Sequence, residues 1–579
     1  MIFLSSINKN KSVLPVFLLT FLLFSLIQFS TTNLAGNDSH LYIKLAELTR
    51  DNGLIREFPW LNATIMKDNF TGLHFLYYIL LIPFTLFGNL VFGAKIASLF
   101  FLSAMAVVFY AVLKNLKLKY NFFWFLFLLA SSGYFLNRMN FARPLSFSVI
   151  FLLLIFYALV KRNNLLLFAI SFFYVWAHGS FPLAIFLTLA FVAVNYIYNK
   201  KIYYKTILAS LGGTILAVLI NPFFPNNVSY FGIYYLNKTP YQLTAQIMEW
   251  QPISISQIFY DAPILLISFL ILSAVFCVNF ILGAINNNSK DEKLSFSNNS
   301  ESKIMASFLF IISVVFFIGM LLQGRFIDYW VPFSIIFIAF YAELLVKTFD
   351  ASWLYNQHLQ SVIPTGASEV RASGVEKSVN ATMLYSNLNY FKKIRFICSQ
   401  IPRLLSSLGM TKAMKFILAI IIAFSIYSKT NFVLGECGTD ESSKNIRETA
   451  LWLKENTPEK SIVFNVNWGD FSKMFFYNAH NYYIAGLDGK FIYQLSPKKY
   501  WLYAHLGDGI VCDQEECGEE NNNNLSIYEV LKNEFNADYV FVSLVYDDFD
   551  YTDLINILNS DSRFEKVYEN EGGEVWEIK

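Results

Sequence analysis

Gly36-Asn37-Asp38-Ser39-His40 follows the first long apolar segment, about Val13 to Thr31, and opens a stretch of about 60 residues before unbroken apolar sequence resumes. A carboxylate where a chain leaves the bilayer is costly to bury and easy to expose, so Asp38 is a candidate for chemistry at the membrane surface. The reading works outward from that position.

Composition sets the class. Of 579 residues 55% are apolar, 18% aromatic and 15% charged, with a mean hydropathy of +0.44, which describes a polytopic membrane protein and not a soluble enzyme with an anchor. The net charge is +2 and the basic residues are scattered among short loops. Nucleic acid and other polyanions are therefore excluded as partners.

Lys9 and Lys11 before the first apolar run resemble a secretory signal, but no small-x-small cleavage site clearly ends the run, so it is read as a retained span. Further apolar segments lie near 93–113, 120–136, 144–160, 164–177, 181–198, 204–221, 263–285, 304–322, 330–348 and 414–430. Loops 114–119, 161–164, 199–205, 286–303 and 349–413 hold most loop lysines and arginines and should be cytoplasmic. That requires the apolar piece 74–91 not to cross, and it is read as a membrane-embedded helix broken near Pro83. The expectation is about eleven transmembrane helices in a multi-pass plasma (inner) membrane protein with a cytoplasmic N-terminus and an exported C-terminus; twelve spans is the alternative.

Residues 1–348 then form the membrane module with a large first outer loop, 32–92. Residues 349–413 form a cytoplasmic linker, 414–430 the last span, and 431–579 an exported domain. Leu41, Leu45 and Leu48 give residues 40–52 an amphipathic helical pattern ending at Gly53, suited to the interface. In the tail, Ser443–Asn456 and Ser526–Asn536 read as helices, Ser461–Val466 and Asp538–Leu544 as buried strands, and Phe564–Ile578 as a hairpin around Glu571-Gly572-Gly573, making a small soluble α/β domain. Of five cysteines, Cys277, Cys398 and Cys437 stand apart, and Cys512 with Cys517 suit a disulfide if this domain faces an oxidising compartment.

The exported side collects Asp38, His40, Asp68, His74, Arg138, Arg143, His178, Glu249, Trp250 and Arg325. Asp38 suits a general base taking the proton of an acceptor hydroxyl, and suits equally an N-cap of the 40–52 helix. His40 is a candidate to orient Asp38 or touch an acceptor, or is a polar helix-face residue. Asp68 and His74 flank the embedded helix as candidate acceptor or pocket residues, or as caps. The segment around them carries no Asp-x-Asp or Glu-x-x-His pattern, so a divalent metal, though compatible, is not indicated and no cofactor is implied. Arg138 and Arg143 suit a two-point grip on a lipid-linked phosphate leaving group, against which stands snorkelling to headgroups. Arg325 follows the same logic. His178 is a candidate to assist phosphate or acceptor, and Glu249-Trp250 ends an aromatic outer loop that is either sugar-stacking or an interfacial belt.

Asp38 in the first outer loop, an interfacial helix, the embedded segment Asp68-Asn69-Phe70-Thr71-Gly72-Leu73-His74-Phe75-Leu76-Tyr77 and arginines in the second outer loop together resemble the GT-C glycosyltransferases, including protein O-mannosyltransferases and lipid A aminoarabinose transferases, over about residues 13–350. The resemblance implies a GT-C-like fold, a polyprenyl-phosphate sugar donor used at the exported face, Asp38 near the reacting centre, and Arg138 or Arg143 on the donor phosphate; the reading built on it is transfer with inversion to a lipid, glycan or protein acceptor, with Arg325 a further candidate for the phosphate. The chain departs from the O-mannosyltransferase pattern: Asn37-Asp38 stands where an acidic pair is usual, and Gly72-Leu73-His74 where a Pro-Pro-Leu-like start is usual. Ala450–Pro458, Trp468-Gly469-Asp470-Phe471 and Gly486-Leu487-Asp488 look like the tail of bacterial membrane proteins of this type. Trp468-Gly469-Asp470 also invites comparison with the Trp-Trp-Asp motif of oligosaccharyltransferases, or is a buried Trp beside a turn. The competing functions are a transporter of lipid-linked glycan and a non-catalytic scaffold of envelope assembly.

Overall fold

The computed structural model describes residues 13–235, 248–286, 300–362, 412–438, 442–517, 525–545 and 550–579. Lys9, Lys11, Cys398, most of loop 286–303 and most of the linker 349–413 lie outside the described residues.

Every apolar segment named above is helical. In chain order the elements are α1 (Val13–Gln28), α2 (Asn37–Asn52), α3 (Phe75–Leu81), α4 (Leu90–Asn115), α5 (Asn121–Ser131), α6 (Gly133–Asn140), α7 (Leu145–Val160), α8 (Asn164–Ala177), α9 (Pro182–Asn199), α10 (Tyr204–Leu219), α11 (Pro263–Asn286), α12 (Ser300–Leu322), α13 (Ile327–Val362) and α14 (Lys412–Gly438). Among the described residues, five spans, Leu90–Asn115, Pro182–Asn199, Pro263–Leu282, Ser300–Leu322 and Gly324–Lys347, are long and apolar enough to cross a membrane, and α6 with α7, bent by 108°, adds a sixth as one unit. Leu22, Leu26, Leu208 and Phe424 lie exposed on helix surfaces, as lipid-facing residues would. The chain is an α-helical polytopic membrane protein with a small C-terminal sheet domain; the count of eleven remains a sequence expectation.

Two local readings change. The segment expected as one span over 120–136 is two helices, broken at Ser132, whose hydroxyl accepts the Phe135 N–H at 3.0 Å and caps α6. The amphipathic helix starts at Asn37, not His40. The embedded piece behaves as its proline requires: α3 tightens into a 3-10 turn at Ile82–Phe87, and Phe75–Phe87 falls short of the about 20 residues a span needs. Gly93 lets α4 close on it, since a Cβ there would come within 2.0 Å of the Phe84 carbonyl oxygen.

A buried carboxylate holds α6 against the last helix. Asp261 accepts the Ser132 hydroxyl at 2.5 Å and the Gly133 N–H at 2.8 Å. Lys429 of α14 donates to the Asp261 carbonyl and lies 3.5 Å from its carboxylate. This fixes the short helix that carries Arg138.

The tail domain is a five-stranded sheet, β1 (Ile462–Asn465), β2 (Tyr482–Tyr483), β3 (Tyr539–Ser543), β4 (Phe564–Asn570) and β5 (Gly573–Ile578), in the order β2-β1-β3-β5-β4. β1 pairs parallel with β2 and β3, while β5 pairs antiparallel with β3 and β4. The expected strands and hairpin are present. The expected 526–536 helix is an α turn followed by a π turn over Val530–Glu534. The first outer loop extends this sheet beyond β2: Tyr483 N–H donates to the Trp60 carbonyl at 3.0 Å, Asn62 N–H to Tyr483 at 2.7 Å and Ala63 N–H to Ile484 at 3.2 Å. An edge strand that would otherwise offer unpaired amides is covered by the membrane module itself. Cys512 and Cys517 form the expected disulfide.

Candidate active site

Gly36 occupies the N-cap of α2 with φ +78°, a left-handed conformation that favours glycine. An added Cβ would meet the Phe141 ring at 3.3 Å. Asp38 therefore is not the cap. It stands in the first turn, at the positive end of the helix, with 43% of its side chain exposed. It opens into a cavity of about 620 Å³ lined by α2 and the segment that follows it, the ends of the bundle helices nearest the tail, and the tail domain.

Opposite the helix, Glu249 gathers three guanidiniums. Its Oε1 lies 3.0 Å from Arg138 Nη1 and 2.6 Å from Arg143 Nη2, and its Oε2 3.6 Å from Arg325 Nη2. Burial pushes the Glu249 carboxyl up, but Arg143, Arg138 and Arg325 outweigh it and hold the group well below the usual carboxylate range. Arg143 is shared, its Nε lying 3.6 Å from Asp38 Oδ2. Arg325, 35% exposed, stacks over Trp250 at 5.1 Å, and Lys490 of the tail lies 3.9 Å over the same ring.

The cavity wall beside the arginines carries two imidazoles, with ring centroids 4.9 Å apart. Burial first, then Arg143 and Arg325, lower His74 to about 3; burial, His74, Arg325 and Arg143 take His178 well below its ordinary value despite Glu249. Both are neutral at physiological pH. His178 Nδ1 accepts the Ser180 N–H at 3.0 Å, so its proton sits on Nε2. His74 Nδ1 shares a hydrogen bond with the Tyr42 hydroxyl at 2.8 Å.

Asp38, His74, Arg143, His178, Glu249, Trp250 and Arg325 thus line one cavity. Three residues expected there do not. Arg138 is spent on Asp328, with Nε to Oδ1 at 2.7 Å and Nη2 to Oδ2 at 2.9 Å, and stands behind the wall as a strut instead of facing a phosphate. His40 is fully buried on the far face of α2, edge-on to Phe476 at 5.2 Å, because two residues along a helix turn the side chain away from Asp38. Asp68 is exposed and outside the cavity; its neighbours Met66 and Phe70 turn inward and leave 67–69 facing solvent.

Sequence reasoning missed Asp328, which sits 1% exposed at the first turn of α13. Two arginines in one outer loop were a signal that buried acids must balance them. It also missed that Tyr42, Trp468 and Asp488 line the cavity. Trp468 and Asp488 lie in tail segments that were noticeable as motifs, but nothing local places them over Asp38. Among the described residues, the metal-ligating grouping closer than 4.8 Å is His505, Cys512 and Cys517 in the tail, where both sulfurs are in the disulfide.

The helical bundle and the small tail sheet enclose a polar pocket where they meet, and the fold is one shared with solved membrane proteins. The oligosaccharyltransferase of Archaeoglobus fulgidus in its apo form is similar at a TM-score of 0.54 and 14% identity, covering 93% of this chain and 70% of that one. The same archaeal enzyme, AglB, in complex with an inhibitory peptide and a dolichol-phosphate, is similar at 0.53 and 14% identity, covering 99% and 74%. ArnT from Cupriavidus metallidurans, apo, matches over 96% and 97% of the two chains at 14% identity with a TM-score of 0.49. No protein-family model matches the chain, and no curated protein matches it by sequence. At this identity the likeness is one of fold.

Proposed function

We propose that the protein is an integral-membrane glycosyltransferase that moves a sugar from a polyprenyl-phosphate carrier to an acceptor at the exported membrane face, with inversion. The observation that carries the reading is the placement of Asp38 and Arg143, 3.6 Å apart, on the wall of a cavity that Arg325 also faces. A base beside a cation suits a displacement in which negative charge builds on a phosphate as a hydroxyl or amine loses its proton.

In that reaction Asp38 takes the acceptor proton, the acceptor atom bonds to the anomeric carbon from the face opposite the carrier, and the bond from that carbon to the phosphate oxygen breaks. The electron pair leaves with the polyprenyl phosphate, whose charge Arg325 and Arg143 stabilise. Neutral His178 donates from Nε2 to phosphate or sugar oxygen, and Trp250, Trp468 and Tyr42 offer faces and a hydroxyl to the sugar. The lysine-rich loops, read as cytoplasmic, support an exported location for this cavity.

The test is transfer of radiolabelled sugar from polyprenyl-phosphate donors in native membranes to endogenous acceptors. Folded Asp38→Asn should lose about 100-fold or more of the rate, the lower range for removal of a general base. Wild-type transfer by that variant would remove Asp38 from the chemistry.

A further inference from the structure

The side chains flanking Asp38 are each held by a different element. Asn37 Nδ2 donates to the Gly469 carbonyl of the tail at 3.3 Å. Ser39 Oγ accepts the Ala142 N–H of the arginine loop at 3.1 Å. His40 packs edge-on against Phe476 and tilted against Tyr477 of the tail helix Phe471–Tyr477, with its Nδ1 3.2 Å from the Gly36 carbonyl. Of the four, Asn37 and Asp38 line the cavity, and Asp38 brings the carboxylate to it.

The tail's side of this contact is itself fixed. Gly469 lies in a 3-10 turn, Trp468–Asp470, whose start is set by Asn467 Oδ1 accepting the Gly469 N–H at 2.8 Å. Further along the same outer loop, Trp60–Ala63 is hydrogen-bonded into the tail sheet, and the Trp60 indole donates to the Ala479 carbonyl at 2.8 Å. The tail domain therefore grips the first outer loop at both sides of α2.

We infer that the tail domain is a positioning element for the reaction, its Gly469 carbonyl and Phe476 ring setting the first turn of α2, through Asn37 and His40, so that the Asp38 carboxylate meets the acceptor proton. Asn37, His40 and Phe476 are positioning residues; none exchanges a proton. This rests on Asp38 being the base. It also gives Trp468-Gly469-Asp470 a use through its backbone, independent of any acceptor read-out by its side chains.

The experiment measures kcat for sugar transfer, and separately binding of polyprenyl phosphate, in full-length Asn37→Ala, Phe476→Ala and Phe476→Tyr. Small misplacement of a reacting group costs rate more than affinity, so Asn37→Ala and Phe476→Ala should each lower kcat about tenfold with the dissociation constant unchanged, while Phe476→Tyr keeps the rate. Leu558→Ala, in the tail core remote from α2, controls for destabilisation: it should lower the melting temperature and leave kcat intact. Wild-type kcat in Asn37→Ala and Phe476→Ala, or an equal loss in Leu558→Ala, would overturn the inference. If Asp38→Asn keeps full turnover, the catalytic reading itself falls; if it loses turnover and the positioning variants do not, only the inference falls.

Discussion

Arg138 and Asp328 form a two-point ion pair between α6 and α13, Nε to Oδ1 at 2.7 Å and Nη2 to Oδ2 at 2.9 Å, with Asp328 on the cavity wall and Arg138 behind it. An arginine carried on a short helix is here a fastener between helices. It also braces Glu249, and through it the arginines that do face the cavity.

Removing one partner of such a pair leaves an uncompensated buried charge. Arg138→Ala or Asp328→Asn should destabilise the protein by about 3 kcal/mol or more, and the double change to apolar residues of similar size should recover most of it. Thermal unfolding in detergent measures this. A single variant as stable as wild type would show that the pair contributes nothing.

Glu249 neutralises the guanidiniums that a phosphate would need. Glu249→Gln should bind polyprenyl phosphate about tenfold more tightly, roughly 1.4 kcal/mol, as Arg143 and Arg325 are released. Equal or weaker binding, measured by titration of the purified protein, would mean that the carboxylate organises the arginines more than it competes for them.

Arg325 is the most exposed of the three guanidiniums and is held at 3.6 Å by Glu249 and by stacking on Trp250. Arg325→Ala should weaken polyprenyl-phosphate binding on the order of tenfold, and Arg325→Lys should restore only part, because an ammonium cannot both stack and fork to two oxygens. Binding unaffected in Arg325→Ala would take this residue out of the phosphate site.

The imidazole pair makes stability depend on pH. His74 and His178 lie outside the spanning segments and stay neutral when folded, His74 down to about 3 against an ordinary 6.5. Below 6.5 the unfolded chain takes up protons that the folded one refuses, so stability is complete above that value and declines as pH falls towards the folded value. From pH 7 to pH 5 the loss should be on the order of 2 kcal/mol for His74, with His178 adding to it in the same direction. Melting temperatures should fall across that interval in wild type and much less in His74→Asn/His178→Asn. A flat wild-type profile would exclude neutral buried rings. Glu249 acts with the same sign but only in stronger acid, since its folded value lies well below the ordinary 4.5.

Much was determined by sequence alone. Runs of apolar residues and the lysines between them specify helices and their ends, because a backbone in lipid must satisfy its own hydrogen bonds, and every apolar run is a helix in the structure. Pro83 ended α3 as its missing N–H requires, the tail strands fell where β-branched and aromatic residues cluster, and the resemblance on Asp38 and the outer-loop arginines pointed to the fold found. These are local properties, decided within a turn or two of chain.

What the tertiary structure decided is which polar side chains meet. Arg138 and Arg143 are five positions apart, yet one, on α6, is a strut and the other, just beyond it, faces the cavity, because Asp328 comes from a helix 190 residues away. His40 and Asp38 are two apart and point to opposite sides of a helix that starts after Gly36, which lies beside the Phe141 ring from across the fold. Trp468 and Asp488 reach the site because the tail docks on residues 37–63, with Trp60–Ala63 joined to its sheet and Asn37 bonded to Gly469. Charge pairing and burial depend on distances in space, which sequence separation does not encode.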